Sequence, residues 1–168
     1  MARGHRTSKR PDMPKRLLLL RHGEEPKDAD NLDLAPAGRR RAAKLAKYIP
    51  QTWGVPQFIF AAAPSESSVR CYLTVRPLAD ALGTQVNGSY NAREASLLAA
   101  KVLGDPAFDN ANIVIAWTHK ELPSLAAYLN VRRSDFPTNW DEAVFNVIYA
   151  LTYKRNGHPK VRRIEQPF

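Results

Sequence analysis

Two of the four histidines, His22 and His119, each stand just past a short apolar run: 17–20 before Arg21-His22 and 113–117 before Thr118-His119. An imidazole beside a fixed guanidinium can attack a phosphoryl group while the cation holds its oxygens. Arg21-His22-Gly23 sets those two groups side by side and adds a flexible residue. Taken singly, either histidine also reads as a hydrogen-bonded residue at the rim of a core, where intermediate burial is ordinary. The other two, His5 and His158, lie in the tails.

The elements that must position these residues follow from the pattern of apolar positions. The run 17–20 is continuous, as in a strand covered on both faces. An acid-rich loop, 23–33, leads to Pro36 in the first turn of a helix whose apolar positions Ala42, Leu45, Ala46 and Ile49 precede Pro50. Residues 58–61 make a second buried strand, followed by a helix over 67–82 that Gly83 stops. The stretch 83–92 carries no clear period; a helix over 93–103 comes after it. A third strand over 113–117 and a helix over 122–129 follow, then strands over 144–153 and 161–164. Strands alternating with helices imply an α/β fold, a three-layer sandwich with a mainly parallel central sheet and helices on both faces. The two continuously apolar strands are expected to be central neighbours. In such sheets ligands bind beyond the carboxyl ends of the strands, which is where Arg21-His22 and Thr118-His119 fall.

Arg21-His22-Gly23-Glu24 after an apolar strand resembles the signature of the histidine phosphatase (phosphoglycerate-mutase-like) superfamily. The segment Leu34-Ala35-Pro36-Ala37-Gly38 is similar to that family's Leu-Thr-Pro-x-Gly helix opening, with Ala35 in place of the capping Thr at a cost of about 1 kcal/mol. Ala63-Pro64, and then Arg70-Cys71-Tyr72-Leu73-Thr74, resemble the segment that delivers a second phosphate-binding arginine; Arg70 is the candidate and Arg76 the alternative register. Trp117-Thr118-His119 with Leu122-Pro123, and later Pro137-Thr138-Asn139-Trp140, resemble a branch with a Trp-x-His-x-x-Ile/Leu-Pro motif. The likeness runs in order over residues 15–153.

The resemblance implies a phosphatase that needs no metal or cofactor. His22 would form a phosphohistidine, with His119, Arg21, Arg70 and Thr118 about the phosphoryl oxygens. Glu94 is the best-placed acid to protonate the leaving group, and a negative charge favourable at a helix N-terminus is its plain structural alternative. Glu24 and Glu25 are expected to orient Arg21, and Cys71 to pack in the core. Lys120 stands where many members have glycine. The substrate would be a phosphorylated small molecule or a phosphoprotein. The alternatives are a catalytically degenerate member that binds a phosphorylated ligand, and a mutase, for whose capping segment the chain is short.

Composition excludes other classes. The net charge of +9 sits in the tails: residues 17–153 hold fourteen basic and fourteen acidic side chains. The basic residues of 1–16 are not interleaved with aromatic platforms, which argues against a nucleic-acid partner. Residues 1–14 are expected to be a disordered leader ahead of a single domain over 15–168. Cys71 is the only cysteine, and no apolar run approaches the length of a membrane span, so a cytoplasmic protein with no membrane partner is expected.

Overall fold

The computed structural model describes residues 12–154 and 157–168. Among them six strands form one sheet: β1 (Arg16–Arg21), β2 (Phe58–Ala61), β3 (Val86–Asn87), β4 (Asn112–Trp117), β5 (Val147–Thr152) and β6 (Lys160–Glu165). Their order is β3-β2-β4-β1-β5-β6. The first four of that order pair in parallel; β5 runs antiparallel to β1, and β6 to β5. Leu17, Leu19, Leu20, Val114, Ile115, Ala116 and Trp117 are all fully buried, which explains why β1 and β4 read as unbroken apolar runs: both faces of each strand are covered.

Four α-helices supply that cover: α1 (Pro36–Trp53), α2 (Arg70–Leu82), α3 (Ala95–Gly104) and α4 (Leu122–Tyr128). The chain steps outward from β1 through β2 to β3, then returns to β4. Right-handed crossovers taken in opposite directions put their helices on opposite faces. Accordingly α1 packs on α2, and α3 on α4. The connections leaving the neighbours β1 and β4 therefore diverge to opposite faces and open a crevice at the strand ends, the switch point where α/β sheets bind ligands.

Several boundaries depart from the sequence expectation. Helix α1 does not stop at Pro50 but runs to Trp53. Proline removes its own N–H and crowds the carbonyl four residues back, but its own carbonyl can still accept. Its carbonyl still accepts Gly54 N–H at 3.0 Å, and Trp53 is held by an edge-to-face contact with Tyr48 and by Arg16, which donates to its carbonyl. Helix α2 starts at Arg70 rather than 67, because Ser65 Oγ accepts the Ser67 and Ser68 N–H groups and holds them in a loop. Strand β5 starts at 147, since 141–146 turns back toward Arg21. The two-residue edge strand β3 carried no period to read. The leader expected over 1–14 lies outside the described residues up to position 11. Its last part is docked: Pro14 is buried, Met13 packs against the core, and the Met13 carbonyl accepts Asn110 N–H at 3.0 Å. No helix among the described residues is long and apolar enough to cross a membrane.

Candidate active site

The loop carrying His22 is seated by contacts that only small residues permit. A Cβ on Gly38, in the first turn of α1, would lie 2.7 Å from the Glu24 carbonyl oxygen and 2.8 Å from the Glu24 nitrogen. One on Gly23 would lie 2.9 Å from Gly38 Cα. The two glycines thus let the loop backbone rest directly on the helix, and Ala35 N–H donates to the Glu24 carbonyl at 2.9 Å. Ala35 itself makes no side-chain cap. From the other side the fully buried Thr74 joins the loop to α2: its hydroxyl accepts Gly23 N–H at 2.8 Å and donates to the Arg70 carbonyl at 2.7 Å. Sequence reasoning placed Thr74 in the segment that delivers Arg70 without giving it this task.

His22 is buried, and its Nδ1 lies 2.7 Å from the Gly23 carbonyl. A carbonyl only accepts, so Nδ1 carries the proton and Nε2 keeps its lone pair. Burial lowers the imidazole pKa from 6.5 to about 4 and outweighs the Gly23 hydrogen bond, with the Arg21 charge adding to the drop. At neutral pH the ring is uncharged.

Arg21 is held over the site from several directions. Its Nη1 donates to the Glu142 carbonyl at 2.6 Å and the Val144 carbonyl at 3.3 Å, Nη2 donates to Glu25 Oε1 at 3.2 Å, and the guanidinium carbon lies 3.8 Å from the Phe145 ring centroid. Trp140 fixes the same turn, donating Nε1–H to the Val144 carbonyl at 2.9 Å while it packs on Phe136 and Tyr149. That contact gives the Pro-x-x-Trp segment a local reason: it holds one of the two carbonyls that accept from Arg21. Burial lowers the Arg21 pKa only against a base value far above neutrality, so the guanidinium stays charged.

Arg70 donates Nε–H to the Asp33 carbonyl at 3.1 Å and Nη2–H to the Asn31 carbonyl at 2.6 Å. Its charge acts on both His22 and Glu25. Arg76, the other register, pairs instead with Asp80 on the exposed side of α2 at 3.6 Å. His119 is mostly buried, and among the described residues both its ring nitrogens lack a hydrogen-bond partner, as does Arg21 Nε. Burial first, then the Arg21 charge, lowers the His119 pKa. Unpaired buried donors are costly unless a ligand completes them. His119 lies beside His22, for ligand atoms of His22, Glu25 and His119 all fall within 4.8 Å of one another. Such a set has the composition of a metal site, but the guanidinium charges of Arg21 and Arg70 bear on it and favour an anion.

The acids separate. Glu25 Oε1 stands 3.4 Å from His22 Nε2 as well as against Arg21. Burial opposes its charge, yet His22, Arg70 and Arg21 together hold its pKa below the usual carboxylate range. Glu24 does not orient Arg21: it forms an ion pair with Arg41 at 2.6 Å, because the close loop–helix packing turns it toward α1. Glu94 lies in a 3-10 turn, Ala92–Glu94, where its carboxylate accepts Asn91 N–H at 2.9 Å in a capping box. The carboxylates within ion-pair range of the two imidazoles, among the described residues, are Glu25 and Glu142, the latter exposed and 3.7 Å from His119 Nε2. The Thr118 carbonyl accepts the Glu121 and Leu122 N–H groups and starts α4, while its hydroxyl makes no hydrogen bond among the described residues. Cys71 is buried in the core as expected, and its thiol is pushed up to about 12 by burial.

Comparison with protein-family models and with curated proteins found no match. Solved structures share the fold. A mycobacterial glucosyl-3-phosphoglycerate phosphatase with inorganic phosphate is 18% identical, with a TM-score of 0.57 over 90% of this chain and 96% of its own. The protein histidine phosphatase SixA complexed with tungstate is 11% identical, with a TM-score of 0.59 over 89% of this chain and 96% of its own. A putative phosphohistidine phosphatase SixA from Agrobacterium tumefaciens is 21% identical, with a TM-score of 0.52 over 92% and 97%. This chain therefore shares its fold with these solved phosphatase structures.

Proposed function

We propose that the chain hydrolyses phosphate esters through a phosphohistidine formed on His22. One observation carries this reading: at the β1–β4 crevice an imidazole with its Nδ1–H committed to a carbonyl meets Arg21 and His119, whose remaining nitrogens have no partner among the described residues. In this reading His22 Nε2 bonds to phosphorus as the bond to the leaving oxygen breaks. Arg21, Arg70 and His119, with the uncommitted Thr118 hydroxyl, take the negative charge of the other oxygens. Glu94 is assigned the proton for the leaving oxygen. Water then attacks phosphorus, the N–P bond breaks, and phosphate departs.

The substrate class we assign is a phosphorylated small molecule or phosphoprotein. Phosphohistidine and glucosyl-3-phosphoglycerate, named for the solved structures of the same fold, both belong to it. A cytoplasmic location suits a chain whose one cysteine is buried and unpaired. The test is phosphate release from p-nitrophenyl phosphate together with trapping of an acid-labile, alkali-stable phosphoenzyme. His22→Ala should abolish both, and His119→Ala should slow turnover by about 10²- to 10³-fold. Undiminished turnover in His22→Ala would overturn the mechanism. A second reading, a phosphate binder without turnover, is favoured by the engagement of Glu94 in a helix cap. It predicts stabilisation by tungstate with no phosphate released.

A further inference from the structure

Where the proposed reaction would place a phosphoryl group, a side-chain anion already stands. Glu25 Oε1 is 3.4 Å from His22 Nε2, the atom that would bond to phosphorus, and 3.2 Å from Arg21 Nη2. It also shares the 4.8 Å cluster with His119. An oxygen at that distance from the nucleophilic nitrogen fills the volume of a phosphoryl oxygen, and two anions cannot occupy it together.

We propose that Glu25 is a specificity and gating residue: its carboxylate is an intramolecular competitor that must leave the Arg21–His22–His119 pocket before a phosphoryl group enters. Glu25 can leave. It is partly exposed, sits in a loop without regular structure, and among the described residues accepts no hydrogen bond except from Arg21. The pocket survives its departure, because Arg21 keeps the Glu142 and Val144 carbonyls and the Phe145 ring, and His22 keeps the Gly23 carbonyl. The freed Arg21 Nη2 then joins Nε and the protonated ring nitrogen of His119 as a donor for the incoming anion. The inference rests on the phosphatase reading for the identity of that anion. Its consequence is a binding penalty, since a ligand that requires a minor state binds more weakly by the fraction of that state.

The experiment titrates tungstate calorimetrically into the full chain and its Glu25→Gln, Glu25→Ala and His22→Ala variants, with p-nitrophenyl phosphate kinetics and melting temperature in parallel. If the open pocket is populated to about a tenth, both Glu25 variants should bind tungstate about tenfold more tightly, with KM falling and kcat little changed. A merely structural glutamate would lower the melting temperature without tightening the ligand. Unchanged affinity in both variants overturns the proposal, and so does weaker affinity, which would make Glu25 an anchor for Arg21. Tungstate tightening without any His22-dependent turnover would sustain the competitor and remove the phosphatase; turnover without tightening would do the reverse.

Discussion

The sign of the Gly38→Ala effect tests whether the loop–helix contact holds the site together. In an ordinary helix, replacing glycine by alanine stabilises by roughly 1 kcal/mol. For a chain of this size that would raise the melting temperature by about 2–4 °C. Here the new Cβ would sit 2.7 Å from the Glu24 carbonyl oxygen and 2.8 Å from its nitrogen. Ordinary contact begins near 3.4 Å, so the Glu24 backbone must retreat by roughly 0.7 Å. Overpacking of this kind costs about 1–3 kcal/mol, and it falls on backbone that cannot rotate away. Destabilisation should therefore cancel the helix gain or exceed it, and the melting temperature should stay level or drop. The retreat moves His22, two residues back along the loop, relative to Arg70 and His119. A misplacement near 1 Å can cost about 100-fold in rate, so kcat/KM on p-nitrophenyl phosphate should fall by about 10- to 100-fold. A stabilised variant with undiminished kcat/KM would refute the close-approach reasoning.

Other outcomes follow from the same geometry. The acid limb of kcat/KM should lie near pH 4, not 6.5, because it reports the free His22 imidazole; a limb at the ordinary value, read from a pH–rate profile, would mean that the ring is not desolvated. Since folded His22 holds its proton less tightly than the unfolded chain does, its contribution to stability is full above about pH 6.5 and declines as pH falls toward about 4, which urea midpoints across that window would check. Trp140→Phe keeps the aromatic packing but frees the Val144 carbonyl, so KM should rise about tenfold as Arg21 loses its aim; an unchanged KM would discard that link. Glu94→Gln keeps the helix cap and should slow only esters with strongly basic leaving groups. Equal losses on phenyl and p-nitrophenyl phosphate would end its assignment as the acid, and a leaving-group-dependent loss in Glu142→Gln would move that task to the rim of His119.

What was legible in the sequence was what depends on short range. Leucines at 17–20 announce a strand covered on both faces because burial on two sides removes the alternation of period two. The same logic fixed β4, and the strand-end rule then located Arg21, His22 and His119. The helix ends misread at Pro50 and at 67 were decided by partners distant in the chain or by serine hydroxyls, whose effects no periodicity carries. Glu24 and Glu25 show the limit most clearly. They are adjacent and chemically identical, yet one pairs with Arg41 on α1 and the other enters the crevice. Only the approach of Gly23 to Gly38 decides which carboxylate faces which way.

The motif residues divide accordingly into those that touch the crevice and those that fix its shape. Gly38, Thr74 and Trp140 reach it only through the backbone of other residues: Gly38 by admitting the Glu24 peptide, Thr74 by holding Gly23 N–H, and Trp140 by holding the Val144 carbonyl. Each comes from a different element, α1, α2 or the turn before β5, and each fixes one of the two consecutive residues Arg21 and His22 or the loop directly after them. Helices α1 and α2 pack together, and the turn before β5 leads into the sheet itself, so the geometry of the crevice is set by tertiary packing and not by the local loop. The charge arrangement has the same origin. Arg21 can remain a buried cation because backbone carbonyls from 142 and 144 solvate it, while its buried Nε has no partner among the described residues. A guanidinium satisfied by carboxylates alone would have been neutralised; one held largely by carbonyls keeps its full charge for an incoming anion.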